Sequence, residues 1–221
     1  MWSNRSELYR YANLSDKHKR VRIYEGEDLL KPFIIGVVLI CLLFGAVVAQ
    51  AYNSYQIVRL VVEHDPVASK IKQSFYEYNP RLSDKEVIYR TMIMYVTARK
   101  YGINPLLALS LASVESSLHQ DAVSEDGAVG TYQLMPIVQN MYGVDATKYD
   151  ENVEGGIRFL ADLIDRYNNL TLALAHYNGG SNPARKLEVN TETINHVNKT
   201  LSVFRQHIGA YSENMTKYAL N

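Results

Sequence analysis

The sequence predicts a mostly α-helical protein with one transmembrane helix near its amino terminus. Three observations lead to this prediction. No segment shows the alternation of apolar and polar residues that is typical of a half-buried strand. Several segments repeat apolar residues at helical spacing, and residues that favour helix starts precede them. One long run, from Pro32 to Val58, contains no charged residue.

The overall composition excludes some classes of function. The 221 residues include 23 basic and 23 acidic residues, so the formal net charge is zero. This balance argues against a nucleic-acid-binding surface along the chain, and we expect no nucleic acid partner. Cys41 is the single cysteine, which excludes an intramolecular disulfide and a cysteine zinc site. The histidines show no metal-binding spacing, and we expect neither a metal nor a cofactor.

The amino-terminal part predicts a tail followed by a membrane span. Residues 1–31 are polar and charged, and we expect a cytoplasmic tail there. We expect the transmembrane helix at 32–52, because this apolar stretch reaches the ~20 residues that cross a bilayer. Lysine and arginine are more frequent on its amino side, which favours a cytoplasmic amino terminus and an external carboxyl-terminal part. The sequence Ala49-Gln50-Ala51 leaves a cleaved signal peptide open as the alternative.

The next segment, 53–82, is expected to be helical, with a kink at Asp65-Pro66. The sequence leaves open whether it is a stalk or an extra helix packed on the domain that follows.

A separate domain is expected at 83–204, followed by a helical tail at 205–221. Its first helix follows Ser83, and Glu86 completes a capping-box pattern. The second begins at Asn104-Pro105, an N-cap followed by a proline suited to the first helical position. Further helices are expected at 153–167, 170–177 and 193–211, with a glycine-rich loop at 127–130.

Glu115 is the strongest candidate for a catalytic residue. It stands near the end of the second helix, which has no other charged residue. A helix that is apolar on most faces is usually buried, and burial disfavours the charged form of a carboxyl group. A general acid that cleaves a glycosidic bond must stay protonated near neutral pH. On this stretch alone, a solvent-exposed glutamate at a helix end is the alternative interpretation.

Three further motifs follow Glu115-Ser116 along the chain: Gly127–Pro136 (GAVGTYQLMP), Ala173–Gly180 (ALAHYNGG) and Glu192–Val197 (ETINHV). In this order and at this approximate spacing, they resemble the motifs of the lytic transglycosylase family. The resemblance runs from about Ser83 to Phe204. Each motif alone is a weak signal, whereas four in order are a strong one.

This resemblance implies a goose-type-lysozyme-like catalytic domain that acts on peptidoglycan glycan strands. Glu115 would protonate the oxygen between N-acetylmuramic acid and N-acetylglucosamine. The same group would then take the proton of the muramic acid 6-hydroxyl, which closes a 1,6-anhydro ring without water or a second carboxylate. With the predicted span, the domain would be anchored to the bacterial inner membrane and face the periplasm, or lie at a virion membrane if the protein is viral.

The resemblance also implies roles for four residues around Glu115. Ser116 would help to position it, Gln133 would contact the N-acetyl group of a sugar, Tyr177 would donate a hydrogen bond to its carboxyl group, and Asn178 would shape the cleft floor. The chain departs from the family pattern at several positions. Thr131-Tyr132 replaces a usual leucine-methionine pair, from which we expect a more polar wall beside Glu115. His176 and Gly179 stand at common alanine positions, and His196 replaces a usual tyrosine, which leaves a fourth contact in question.

Two other functions stay open. One is a hydrolytic lysozyme on the same fold, in which an acidic loop residue (Asp121, Glu125 or Asp126) activates water. The other is an inactive protein that binds the cell wall during assembly. The sequence does not indicate the biological task, nor any partner in secretion, conjugation or virion assembly.

Overall fold

The computed structural model describes residues 26–219 of the chain, with side chains from residue 37 to residue 210 except residue 189. Most of the expected cytoplasmic tail lies outside these residues. The described part contains nine helices: α1 (Gly26–His64), α2 (Pro66–Tyr78), α3 (Asp84–Lys100), α4 (Pro105–Ser116), α5 (Pro136–Tyr142), α6 (Tyr149–Tyr167), α7 (Leu170–Gly179), α8 (Pro183–Val189) and α9 (Thr191–Ala219). Two isolated β-bridges, and no strand, occur among the described residues.

The chain divides into two compact units after Asn53. The described part of the first unit is helical, and its large apolar side chains from Val37 to Val48 are exposed. By length and composition, one helix of the described chain suffices to cross a membrane, over Val37–His64. The predicted fold class, mostly α with one long apolar helix near the amino terminus, is confirmed.

The α2 helix belongs to the second unit. Asp65 caps it, since its Oδ1 accepts hydrogen bonds from the N–H groups of Val67 and Ala68 at 2.9 and 2.8 Å. Ile71 and Phe75 are fully buried in the core of this unit. This part of the segment 53–82, which the sequence left open as stalk or packed helix, is packed.

The α4 helix forms the centre of the second unit. Asn104 accepts the N–H of Leu106 at 2.9 Å, and Pro105 occupies the first position. Every residue from Pro105 to Ser113 is buried, because α2, α3 and α9 pack around the helix. This burial on all faces explains the uncharged sequence. It also brings Glu115, on the last turn, to the edge of the core.

The end of α4 is sharply bent. Ser117 and Leu118 both have left-handed backbone conformations, with φ of 53° and 62°. Such conformations are uncommon for residues other than glycine and cost roughly 1–3 kcal/mol each. The fully buried side chain of Leu118 holds this turn in place. The chain therefore leaves the helix directly behind Glu115.

The loop between α4 and α5 packs on the backbone of α6 at two glycines. A Cβ atom at Gly156 would lie 2.4 Å from Cβ of Tyr132, and one at Gly155 would lie 2.8 Å from Leu134. Tyr132 is fully buried, and its hydroxyl donates to the Ala108 carbonyl at 3.1 Å. Thr131 is also fully buried. Tyr132 is therefore a core residue, and the more polar cleft wall that we expected from this pair is not formed by its side chain.

Several helix ends differ from the prediction. Ser83 caps α3, accepting the N–H of Glu86 at 3.3 Å, but the Glu86 carboxylate binds Arg90 at 2.8 Å instead of completing the capping box. Three helices are longer than predicted, since α6 begins at Tyr149, α7 ends at Gly179 and α9 spans Thr191–Ala219. The periodic apolar pattern marks the buried middle of a helix, and its polar ends escape this signal.

Candidate active site

Glu115 is almost buried, and its two carboxyl oxygens differ. The side chain is 12% exposed, and Oε1 lies 2.9 Å from Nε2 of His196. Oε2 has no hydrogen-bond partner among the described residues, yet it is not among their fully buried unpartnered atoms, so it reaches solvent. One oxygen is therefore held by the protein and the other is free to meet a substrate.

Ser116 connects the end of α4 to the loop that follows. Its hydroxyl donates to the Thr131 carbonyl at 2.8 Å, and the Ala112 carbonyl lies further away, at 3.4 Å. The residue next to Glu115 is thus attached to the loop between α4 and α5. This contact is compatible with the positioning role that the resemblance implied.

Both side-chain amide hydrogens of Gln133 form hydrogen bonds within its own loop. Nε2 donates to the carbonyls of Gly130 at 2.9 Å and Ala122 at 3.2 Å, and the backbone of Gln133 is left-handed, with φ of 48°. The side-chain carbonyl oxygen remains as its acceptor for a ligand. The expected contact with an N-acetyl group stays a prediction, now restricted to that oxygen.

Tyr177 does not hold Glu115 by a hydrogen bond, so that expectation is wrong. Its hydroxyl donates to the backbone carbonyl of Tyr132 at 2.9 Å, and its ring packs on Phe159, with centroids 5.1 Å apart. Burial, and to a lesser extent the charge of Glu115, raises the pKa of Tyr177 well above its ordinary value. Tyr177 therefore stays neutral.

Asn178, the next residue, is half-buried and makes no hydrogen bond to the described residues, which leaves its amide available for a ligand.

His196 supplies the fourth contact that the sequence left in question. It lies on α9, is 10% exposed, and places Nε2 against Oε1 of Glu115. Its other ring nitrogen, Nδ1, is fully buried and has no hydrogen-bond partner among the described residues. Sequence reasoning marked this position only as a departure from the family pattern, because a pairing across 81 residues leaves no periodic signal.

A comparison with known families bears on the class of this domain. Residues 92–199, just under half of the chain, match the sequence model of the transglycosylase SLT domain. We refer to this matching region as the SLT domain. The sequence-based recognition of a lytic-transglycosylase-type domain is thereby confirmed.

Two known proteins are similar to parts of the chain. A transglycosylase of Enterobacteria phage PRD1 is 37% identical over 87 residues, which cover 38% of this chain and 32% of the relative. A solved structure, of an inactive mutant of the lytic transglycosylase Slt from Pseudomonas aeruginosa, aligns with 72% of this chain and 30% of its own, at 22% identity and a TM-score of 0.48. That structural likeness is too weak to carry a conclusion. The chain spans about a third of the length of these proteins.

Two side-chain amides, one fully buried (Asn152) and one half-buried (Gln120), bind the loop of the SLT domain, and sequence reasoning missed both. Asn152 on α6 donates to the carbonyls of Val129 at 2.8 Å and Ala146 at 3.1 Å, and accepts the N–H of Tyr132 at 2.8 Å. Gln120 donates to Ala146 at 2.8 Å and accepts the Thr131 hydroxyl at 2.9 Å. Asn152 has acidic neighbours in the sequence, a pattern that predicts an exposed helix position. The sequence therefore contained no signal for the role of Asn152.

Three acidic residues follow Glu115 in the loop between α4 and α5. Asp121, Glu125 and Asp126 are exposed, and none makes a hydrogen bond to the described residues. Asp121 lines a cavity of about 610 Å³ together with His119 and Arg81. Nothing in these contacts ties a second carboxylate to Glu115.

Proposed function

We propose that the protein is a lytic transglycosylase that cleaves peptidoglycan between N-acetylmuramic acid and N-acetylglucosamine and leaves 1,6-anhydromuramic ends. The observation that supports it is the Glu115 carboxyl group in the SLT domain, nearly buried, with one oxygen held and the other facing solvent. Such a group can carry a proton to a substrate oxygen and receive one afterwards.

In the proposed reaction, protonated Glu115 is first the acid. Its Oε2 proton moves to the glycosidic oxygen, the bond between that oxygen and C1 of the muramic acid breaks, and N-acetylglucosamine leaves with a free hydroxyl. The Glu115 carboxylate remains beside a positively charged sugar ring. Protein groups that favour this carboxylate favour bond cleavage.

Glu115 then acts as the base. It takes the proton of the 6-hydroxyl of the same sugar while O6 bonds to C1, which restores the protonated carboxyl group and closes the anhydro ring. The nucleophile belongs to the substrate, so its effective concentration is high, and neither water nor a second carboxylate is required. Retaining and inverting glycosidases, in contrast, use two carboxyl groups.

A hydrolytic lysozyme is the second candidate. It would need one of the acidic loop residues to activate water. These residues are exposed and unattached to Glu115, which favours the transglycosylase.

We also propose that α1 anchors the enzyme with its amino terminus in the cytoplasm and its SLT domain outside. The support is the candidate membrane helix Val37–His64, which is uncharged up to Val58, together with the excess of basic residues before it. The related transglycosylase of a phage is support for the alternative, a virion membrane. A reporter enzyme active only outside the cytoplasm, fused after Asn221, should be active; release of the protein from membranes at high pH would contradict the anchor.

Digestion of purified sacculi tests the reaction. Mass spectrometry of the soluble products should show anhydro ends for the wild type; reducing ends would favour the lysozyme. Glu115→Gln should lower activity by roughly 10²–10⁴-fold, because it removes the transferable proton but keeps size and shape. The controls Asp121→Asn, Glu125→Gln and Asp126→Asn should keep most activity. Near-wild-type turnover by Glu115→Gln would refute the site.

A further inference from the structure

The histidine beside Glu115 has two differently placed ring nitrogens. Nε2 lies 2.9 Å from Oε1 of Glu115, whereas Nδ1 is fully buried and has no hydrogen-bond partner in the part of the chain that the structure describes. Both side chains are nearly buried, so solvent does not provide Nδ1 with a partner. These constraints bear on where His196 carries its proton.

Three protonation states can be compared. The imidazolium would bury a charged Nδ1–H group without an acceptor, which is the most unfavourable choice. The neutral tautomer with Nδ1–H would bury an unpaired donor, and its Nε2 lone pair would bind the very proton that Glu115 must deliver. The neutral tautomer with Nε2–H leaves only a lone pair at Nδ1, and its N–H points at Oε1.

We propose that His196 is a positioning residue that holds Oε1 of Glu115 as a neutral Nε2–H donor. This inference rests on the proposed reaction. With Oε1 occupied, the transferable proton resides on Oε2, the oxygen that reaches solvent. When that proton leaves, the same N–H group faces a full carboxylate, and hydrogen bonds to charged acceptors are shorter and stronger. His196 therefore favours the transition state more than the ground state.

A single well-placed donor to a charge that develops during the reaction contributes about 10²–10³-fold to kcat. The donor acts on Glu115 and not on the sugar, so its loss should leave KM nearly unchanged. A side chain that donates from the same place but cannot become charged should restore activity. Glutamine has such an N–H group, and phenylalanine has none.

The kinetic test uses the full-length protein in detergent, with peptidoglycan as substrate. His196→Phe should lower kcat about 10²-fold with KM within about twofold, and His196→Gln should recover to within about tenfold of the wild type. The matched control is His207→Gln, which removes another histidine from α9, one that contacts α4 at Ser110 instead of Glu115. Wild-type kcat in His196→Phe would overturn the proposal, as would a His196→Gln variant no better than His196→Phe.

A second measurement does not depend on activity. In protein with ¹⁵N-labelled histidine, long-range ¹H–¹⁵N NMR at pH 7 distinguishes the two neutral tautomers and the imidazolium, and the His196 signals are those lost in His196→Gln. We expect the Nε2–H tautomer. An imidazolium or an Nδ1–H tautomer would overturn the proposal, even where His196→Phe fails to fold. If the wild type gives no anhydro products, the proposed function fails, while the NMR result still tests how His196 binds Glu115.

Discussion

The Asn152 side chain makes the buried hydrogen bonds on which the loop of the SLT domain depends, and Asn152→Ala would remove all of them. Three bonds are lost, to the carbonyls of Val129 and Ala146 and from the N–H of Tyr132. The Ala146 carbonyl keeps a second donor, Nε2 of Gln120 at 2.8 Å. The Tyr132 N–H lies in a fully buried residue. The Val129 carbonyl also keeps a donor, the N–H of Leu134 at 2.9 Å, so the N–H of Tyr132 is the one backbone group of the three that loses its partner.

The magnitude follows from the Tyr132 N–H group and from the two other lost hydrogen bonds. A buried polar group without a partner costs about 1–3 kcal/mol, and each hydrogen bond lost from an acceptor that keeps another donor costs about 0.5–1.5 kcal/mol, so the total is about 2–6 kcal/mol. A water molecule that enters the space left by the amide can bind the Tyr132 N–H, which places the result in the lower half of this range. A typical domain has only about 5–15 kcal/mol of stability, so a loss of 2–4 kcal/mol is severe.

Urea unfolding, followed by circular dichroism, measures this loss as a lower midpoint at unchanged slope. Asn198→Ala is the matched control, since it removes an exposed asparagine from α9 and should change the unfolding free energy by about 0.5 kcal/mol or less. Asn152→Ala should also lose activity at lower temperature than the wild type. A midpoint equal to that of the control would refute the view that Asn152 supports the loop.

Two further predictions follow from the packing. Tyr177→Phe should cost about 1 kcal/mol of stability and leave kcat within a few-fold, because its hydroxyl binds the Tyr132 carbonyl and not Glu115; a loss near 10²-fold at unchanged stability would show that Tyr177 acts on Glu115. A chain that starts at Ser83 should unfold more readily by circular dichroism than one that starts at Ser54, because it lacks Ile71 and Phe75, each worth about 1.5–3 kcal/mol when buried. Equal unfolding free energies would place α2 outside the core.

Local signals in the sequence predicted much of the helical fold. The N-cap asparagine and the proline after it mark the start of α4, and the absence of charge over the next ten residues marks its burial. The packing of α2 was undecided because an amphipathic helix shows one apolar face whether it covers its own domain or another surface. The half-formed capping box at Ser83 shows a related limit, since Glu86 has a competing partner, Arg90, one turn later.

The candidate site was less accessible to sequence reasoning than the fold. Glu115 could be singled out because a lone charge at the end of a buried helix is unusual. The contact of His196 with Glu115 joins α9 to α4 across 81 residues, and the role of Asn152 depends on the backbone of a loop in another part of the chain. Such pairings arise only when helices pack, so no local pattern predicts them.

Three motif residues, Ser116, Gln133 and Tyr177, share a property with Asn152 that no single motif shows: their polar groups bind the backbone of one loop. Donors on α4, α6, α7 and the loop itself reach carbonyls between residues 129 and 132, and they come from Ser116, Asn152, Tyr177 and Gln133. The acceptors are backbone carbonyls, which every residue type has. The loop can therefore contain Thr131 and Tyr132, where the family usually has leucine and methionine, and still accept these hydrogen bonds. These donor side chains shape the loop and do not bind Glu115. Among the described residues, His196 is the single side chain that is hydrogen-bonded to Glu115. We therefore expect His196 to control the proton of Glu115.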